Sequence, residues 1–312
     1  MKILVTGGAG FIASQVADAF IAEGHKVFIL DNLSTGFEVN INPKAVFIKA
    51  DIGDKSLSSL FEKEKFDVVN HHAAQMDVRR SVADPAFDAN TNILGTINLL
   101  QNCVKTGVKK FMFASTGGAV YGEQNYFPAD EHHPTAPLSP YGISKLAVEK
   151  YLFFYHTQYN LNYTILRYAN IYGPRQNPFG EAGVVAIFST KLLRGIQPVI
   201  NGNGLQTRDY VYVGDVVKAA LTTINDPDSD IFNIGTGIET DVNQLFNIIN
   251  NIAGKGLIEK HGPPAPGEQM RSVITSDKIF AKFNWRPTTK LEEGLKNTVN
   301  FFKERMEPKH EK

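Results

Sequence analysis

A doubly wound α/β fold, a Rossmann-type parallel sheet with a smaller C-terminal lobe, is what this 312-residue sequence predicts. Three observations predict it. Short apolar runs alternate with segments of helical period through residue 172, the first run ends in the glycine-rich turn "TGGAGFIAS", and the alternation loosens beyond 172. Strands alternating with helices need crossover connections, which give a parallel sheet covered on both faces. The expected division is 1–172 as the sheet domain with a returning segment near 208–236, and 173–312 mainly as the second lobe.

Each element has its own warrant. "KILVTG" is apolar and stops at glycines, so it reads as a buried strand. "ASQVADAFIAEG" carries apolar residues at helical spacing and ends at Gly24. "KVFILDN" and "AVFIKADI" read as the second and third strands, "LSSLFEKEK" as a helix, and "FDVVNHHAA" as the fourth strand. "DANTNILGTINLLQNCVKTG" is expected to be one long helix stopped by Gly107, followed by the strand "KKFMFAST". "SPYGISKLAVEKYLFFYHTQYN" is a second long helix, and "YTILRYANIYG" a sixth strand. Past the Gly/Pro loop "GPRQNPFGEAG", "VVAIFSTKLLRG" is helical, "TRDYVYVGDVVKAALTTIN" returns to strand and helix, and the tail "KERMEPKHEK" is expected to fray.

Composition narrows the function classes. Lys plus Arg equals Asp plus Glu, 32 each, which argues against a broad nucleic-acid surface. The apolar runs fall far short of the roughly 20 residues of a membrane span, and "ILV" followed at once by glycines is no signal peptide. A lone cysteine, Cys103 in the helical "NLLQNCVKTG", points to packing rather than nucleophilic work and to a reducing, cytoplasmic setting. The histidine pairs His71–His72 and His132–His133 are adjacent, not at the i,i+4 spacing of a helical metal pair, so no metal is expected.

Two motifs carry chemistry. A turn with Gly7, Gly8 and Gly10 between a strand and a helix lets backbone N–H groups approach a phosphate, and the helix N-terminus adds partial positive charge. Asp31 ends the second strand, placed to accept from a ribose 2′-hydroxyl, and "LDNLSTG" offers no Arg or Lys for a 2′-phosphate, which favours NAD over NADP. A plain tight turn with a capping Asp is the competing reading. Ala13 sits where that helix must lie close to its strand, a place that asks for a small side chain. The second motif is "SPYGISK", which puts Tyr141 and Lys145 on one helix face. An ammonium beside a phenol favours tyrosinate, draws its pKa from about 10 toward neutrality, and suits it to acid–base work on an alcohol. By itself such a pair is often solvated decoration; the hydroxyls of "FASTGGAVYG" at a strand end give it weight.

"TGGAGFIAS", "LDNLSTG", "HHAAQMDVRRSV", "TNILGT", "FASTGGAVYGE", "SPYGISK", "LRYANIYGPRQ" and "RDYVYV", in this order, resemble the extended short-chain dehydrogenase/reductase superfamily. Over nearly the whole chain they look most like its NAD-dependent nucleotide-sugar epimerases, the UDP-glucose 4-epimerases in particular. The resemblance implies Tyr141 as base, Lys145 as its partner and Thr116 as the hydroxyl on the sugar, with Ser115 the neighbouring candidate. For NAD it implies Gly7, Gly10, Phe11, Ile12, Asp31, Asn32, Ser34, Thr35, Gly36, Asp51, Ile52, Ala73, Ala74, Gln75, Asn92 and Tyr168, together with Tyr141 and Lys145. For the nucleotide sugar it implies Asn170, Val184, Asn201, Arg208 and Glu268 besides Ser115 and Thr116. Implied too are a homodimer through the two long helices, near 88–106 and 142–159, and epimerisation at C4 of a UDP-hexose through a transient 4-keto sugar. A UDP-N-acetylhexosamine or UDP-hexuronate substrate, or a plain NAD-dependent dehydrogenase, stays open, as does a non-catalytic dinucleotide sensor.

The chain departs from relatives in four places. Gly117 and Gly118 follow Thr116 where dehydratases carry Asp-Glu; Met76 stands where some members carry Lys; Ala265 replaces an arginine, leaving Arg208 or Arg271 for the diphosphate; and Ser272 is small where some pockets are narrowed.

Overall fold

The computed structural model describes residues 1–179, 183–265 and 267–306. Seven strands, β1 (Lys2–Thr6), β2 (Lys26–Asp31), β3 (Val46–Lys49), β4 (Val68–His71), β5 (Lys110–Thr116), β6 (Asn162–Tyr168) and β9 (Asp230–Ile234), pair in parallel. Their order is β3-β2-β1-β4-β5-β6-β9. The order reverses between β1 and β4, and the crevice beyond the carboxyl ends of such strands is where this architecture takes ligands.

The period of two along β1 divides the core. Leu4 faces α2 (Leu57–Glu64), α3 (Gly95–Thr106) and α4 (Pro140–Tyr159) through Leu99, Leu100, Val148 and Leu152. Ile3 and Val5 face α1 (Phe11–Ala22) and α6 (Val213–Thr223) through Val16, Phe20 and Ala220. Ala13 is buried in that second face, the small residue its position asks for.

Two expected elements are broken where the site needs them. The long helix is three pieces: Pro85–Ala89, a π-helical turn Asn90–Leu94, and α3. The wide turn carries Asn92 inward, to 3% exposure. Gly95 begins α3 against Ile52, whose side chain lies 2.7 Å from where a Cβ would stand. The sixth strand splits at Ala169. β6 stays in the sheet, while β7 (Asn170–Tyr172) leaves it to pair with β8 (Tyr210–Tyr212). Ala169 still bonds Ile234, whereas Asn170 bonds Asp209, so the chain changes partner within one residue. That step carries Asn170 out over the strand ends. Helix α1 also starts at Phe11, two residues earlier than the apolar spacing suggests.

The remaining chain has a core of its own. α5 (Val184–Leu193), α7 (Val242–Ala253) and α8 (Leu291–Met306) pack through Phe188, Leu192, Phe246, Ile249, Leu295 and Val299. Its strands are two-residue pairings between distant segments: Ile200–Asn201 with His261–Gly262, and Thr207–Arg208 between Thr240–Asp241 and Arg271–Ser272. Residues 307–312 of the charged tail lie outside the described residues.

Candidate active site

The glycine turn is shaped for an anion. Gly7 has φ +69°, and a Cβ there would stand 2.7 Å from the Ala73 nitrogen, so the β1 turn and the end of β4 touch backbone to backbone. Gly10 precedes α1 with no side chain capping the helix, which leaves the amides of Phe11 and Ile12 free of a capping acceptor at its positive end. Asp31 is buried, its carboxylate accepting from Ala9 N (3.0 Å) and Leu33 N (2.8 Å). A carboxylate has about four acceptor sites, so two hydroxyls can still be received. Asn32 joins this rim by donating to Asp51 (2.8 Å) and accepting from Ser34 N (2.9 Å); Gly36 abuts Ala9, with Ser34 and Thr35 exposed beside it. These groups fit a dinucleotide's pyrophosphate and adenosine ribose.

The floor of the crevice is a chain of hydrogen bonds. Thr6, His71 and Thr96 are linked at 2.6 and 2.8 Å, and Ala73 N donates to Thr6. Tyr168 meets His72 Nε2 at 3.3 Å, and His72 Nδ1 is buried with no protein partner. Burial, aided by the Lys145 charge, pulls His72 down to about 3, so it stands neutral. Asn92 does not reach into the crevice. Its oxygen accepts from Gln75 N and its nitrogen donates to Gln75 O, Asp88 and Ser144, which makes it the tie between the β4 end, with Ala74 beside it, and α4.

Ser139 caps α4 by accepting from Gly142 N, and Pro140 starts it. Tyr141 and Lys145 then stand on one face, with Lys145 Nζ 5.8 Å from the Tyr141 ring centre. The ammonium donates to Ala114 O (3.0 Å) and lies 4.8 Å over Phe113. The expected lowering of the phenol is overturned here: burial, then the Asp88 charge, pushes Tyr141 up. Burial pulls Lys145 down to about 8 against the opposing pull of Asp88 and Glu149. Desolvation is the largest cause at both groups.

Ser115 and Thr116 separate cleanly. Ser115 is buried and donates to Glu149 (2.6 Å), which pairs with Arg167 (3.0 and 2.6 Å); Arg167 donates to Tyr121 (2.9 Å) and Tyr121 to Asn233 (2.6 Å). That hydroxyl is committed away from the crevice, and Thr116 is the one that faces it. Around the open position over Gly118 stand Thr116 Oγ1 at 3.8 Å, Asn170 Oδ1 at 3.9 Å and Ser272 Oγ at 4.0 Å, measured to an ideal Cβ. Glu149 could have been found in the sequence, since it lies one turn beyond Lys145 on the face that must be buried.

On the lobe side, Asn201 and Glu268 line one open pocket with Gln206, His261, Ala265 and Met270. Gln206 donates to both Asn201 O and Glu268, and Arg208 approaches Glu268 at 3.8 Å. Val184 opens α5, half-buried on the lobe core. Arg271 is not available for a diphosphate. It forms a two-point pair with Glu239 (2.9 and 2.7 Å), stacks on Phe127, and leaves its strand on the side opposite Ser272. Among the described residues no three His, Cys, Asp or Glu gather as a metal site, and no helix is long and apolar enough to cross a membrane.

Comparison with known proteins agrees with this geometry. Residues 3–235 match the NAD dependent epimerase/dehydratase family. A UDP-glucose 4-epimerase of Mycolicibacterium smegmatis is 42% identical over 309 residues, covering 97% of this chain and 99% of that protein. The crystal structure of a UDP-glucose 4-epimerase with UDP-glucose from Thermotoga maritima superposes with a TM-score of 0.97 at 48% identity, covering 98% of this chain and 100% of that one. The Thermus thermophilus enzyme in complex with NAD gives 0.92 at 42% identity, with 97% and 99% covered. The chain therefore belongs to the NAD dependent epimerase/dehydratase family.

Proposed function

We propose that this chain is an NAD-dependent epimerase acting at C4 of UDP-hexoses, interconverting UDP-glucose and UDP-galactose. The observation that carries the reading is the ring of Thr116, Asn170 and Ser272 around Gly118, beside Tyr141 and Lys145. A dehydration needs an acid and a base in that ring, and the ring holds only hydroxyls and an amide. At Gly117 a side chain would have to displace the Ile274 side-chain tip, 2.6 Å from an ideal Cβ. The Thermotoga structure with UDP-glucose and the Thermus complex with NAD support both ligands.

In this reading Gly7, Gly10, Phe11 and Ile12 hold the pyrophosphate of NAD, and Asp31, Asn32, Asp51 and Ile52 its adenosine end. Ala73, Ala74, Gln75, Lys145 and Tyr168 line its other half. NAD, when bound, accepts hydride from C4 and gives it back, so no net oxidation accumulates. Tyr141, entering the step as phenolate, takes the 4-hydroxyl proton and later returns it as a neutral phenol. Thr116 donates to the same sugar oxygen, fixing C4 near the phenol. The Lys145 ammonium, held by Ala114 O, favours the phenolate form of Tyr141 that receives the proton. The 4-keto sugar has to turn over about its diphosphate link. Arg208 grips that link through planar donors, and Asn170 touches its first phosphate. Asn201 and Glu268 take the nucleotide end of the open pocket, and Val184 borders it.

Ser272 favours a second reading for the sugar. Its small side chain beside Gly118 admits an N-acetyl group, so UDP-N-acetylhexosamines belong among the substrates to assay. The lobe with its own core carries the sugar nucleotide, and the sheet domain the cofactor. Exposed Tyr151, Phe153, Phe154 and Tyr159 along α4 suit a helix-to-helix homodimer, which a single-chain mass by light scattering at micromolar concentration would sink. Cys103 is buried and burial pushes its thiol up, consistent with a reducing cytoplasmic setting. The deciding assay is an NMR time course with UDP-galactose and no added reductant. Growth of UDP-glucose is expected; stoichiometric NADH without epimer overturns the reading in favour of a dehydrogenase.

A further inference from the structure

Asp88 belongs to none of the motifs above, yet it is buried beside the residues that tie the end of β4 to α4. It sits in the short helix Pro85–Ala89, which packs on α4, and is 1% exposed. One oxygen accepts from Gln75 Nε2 and Asn92 Nδ2, both at 3.1 Å. Asn92 in turn holds Ser144, the residue beside Lys145. The other oxygen is buried with no partner. A buried carboxylate short of one partner is costly unless a cation nearby offsets it. Lys145 stands on α4, the helix that packs against Pro85–Ala89, one residue beyond Ser144. Asp88 is the largest favourable charge acting on the Lys145 ammonium and the charge that acts on the Tyr141 phenol.

We propose that Asp88 is a positioning residue for the Tyr141–Lys145 pair: it keeps Lys145 an ammonium and, through Asn92 and Ser144, fixes the start of α4 against the end of β4. The other groups facing the pair are accounted for. Glu149, on the same helix, is already neutralised by Arg167 from β6. His71 and His72, from the end of β4, are kept neutral by burial. Tyr168 from β6 is pushed up by burial and stands as a neutral phenol. Asp88 is then the carboxylate beside the pair whose only hydrogen-bond partners are neutral amides.

The sign of its effect is distinctive. A carboxylate raises a neighbouring ammonium's pKa and raises a neighbouring phenol's pKa. Removing it lowers both. An ordinary packing residue would lower activity at every pH and move neither titration.

The test compares Asp88→Asn, which keeps shape and an acceptor, with Asp88→Glu, which keeps the charge. Trace acetic anhydride labelling, read at Lys145 by peptide mass spectrometry across pH, gives the lysine titration directly. In Asp88→Asn it should move acidward by about one pH unit, while Asp88→Glu stays within a few tenths of wild type. The pH profile of kcat with UDP-galactose should slide acidward as a whole in Asp88→Asn, both limbs together. Should Asp88→Asn fail to fold, Asp88→Ser removes the same charge and is read in the same way. A Lys145 titration unmoved in the neutral variant, or a profile that only drops in height, overturns the inference. The inference rests on the epimerase reading for its kinetic arm alone. A wild-type protein that makes no epimer while the labelling shift is present sinks the function and leaves the Asp88 assignment standing; the reverse result sinks only the assignment.

Discussion

On the sheet side of the crevice, Ser115, Glu149, Arg167, Tyr121 and Asn233 form one buried chain of bonds, none longer than 3.0 Å. On the lobe side, Arg208 approaches Glu268 at 3.8 Å beside an open pocket. The first arrangement holds the strand ends behind Thr116 through buried, charge-assisted bonds of fixed geometry. The second leaves a guanidinium able to let go of one carboxylate and grip a diphosphate as it turns. Substitutions should therefore divide: on the sheet side they act on kcat or on the fold, on the lobe side on KM.

The largest effect expected is Tyr141→Phe. Losing a positioned acid–base group costs about 10²–10⁴-fold, and kcat should fall by that much in a coupled assay of UDP-galactose while KM stays near wild type. A KM change of equal size would mean the phenol serves binding, and the division fails at its strongest point. Next is Arg167→Met. It leaves Glu149 buried and unpaired, which costs about 3–5 kcal/mol, read as the loss of ΔG in urea unfolding. A loss below about 1 kcal/mol, the scale of an exposed pair, would show that water reaches Glu149 and that the network is no rigid frame.

The same division decides what the sequence could reveal. β1 and the glycine turn are contiguous, Asp31 closes the next strand, and Gly7 is required by a left-handed φ and by Ala73, so the chain announces them locally. Tyr141 and Lys145 share a helix face for the same reason. The π-helical turn at Asn90–Leu94 was not legible, because the apolar spacing of a continuous helix runs straight through it. Nor was the split at Ala169, where one residue changes strand partner with no Gly or Pro to mark it. The lobe pocket is built from two-residue pairings of segments tens of residues apart, which carry no period at all. Arg271 shows the cost: the arginine missing at Ala265 made it a candidate for the diphosphate, and the structure pairs it with Glu239 instead.

Two smaller effects probe the lobe side. Arg208→Met should raise KM for UDP-galactose about 10- to 100-fold with kcat within a few-fold, since charge-assisted bonds to phosphate contribute about 1.5–3 kcal/mol. A fall in kcat at unchanged KM would place Arg208 in the chemistry and blur the two regions. Ser272→Tyr should cut turnover of UDP-N-acetylgalactosamine by about tenfold or more and leave UDP-galactose within a few-fold. Equal losses on both would show that the ring around Gly118 does not sort sugars by the acetyl group.

Ala265→Arg is the finest cut, and its direction is opposite to the rest. Ala265 lines the same pocket as Glu268 and Gln206, so a guanidinium there meets a carboxylate at once. It then competes with Arg208 for Glu268, a contact already loose at 3.8 Å. Freed of that carboxylate, Arg208 has more of its five donors for a diphosphate. KM for UDP-galactose should fall by about two- to fivefold at low ionic strength, and the gain should fade near 1 M salt, where the screening length is about 3 Å. A gain that survives salt would mean the new side chain binds by packing rather than charge. No gain would mean that Arg208 is already disengaged from Glu268 when substrate arrives, so that the loose contact is the working design of the pocket and the missing arginine leaves no deficit.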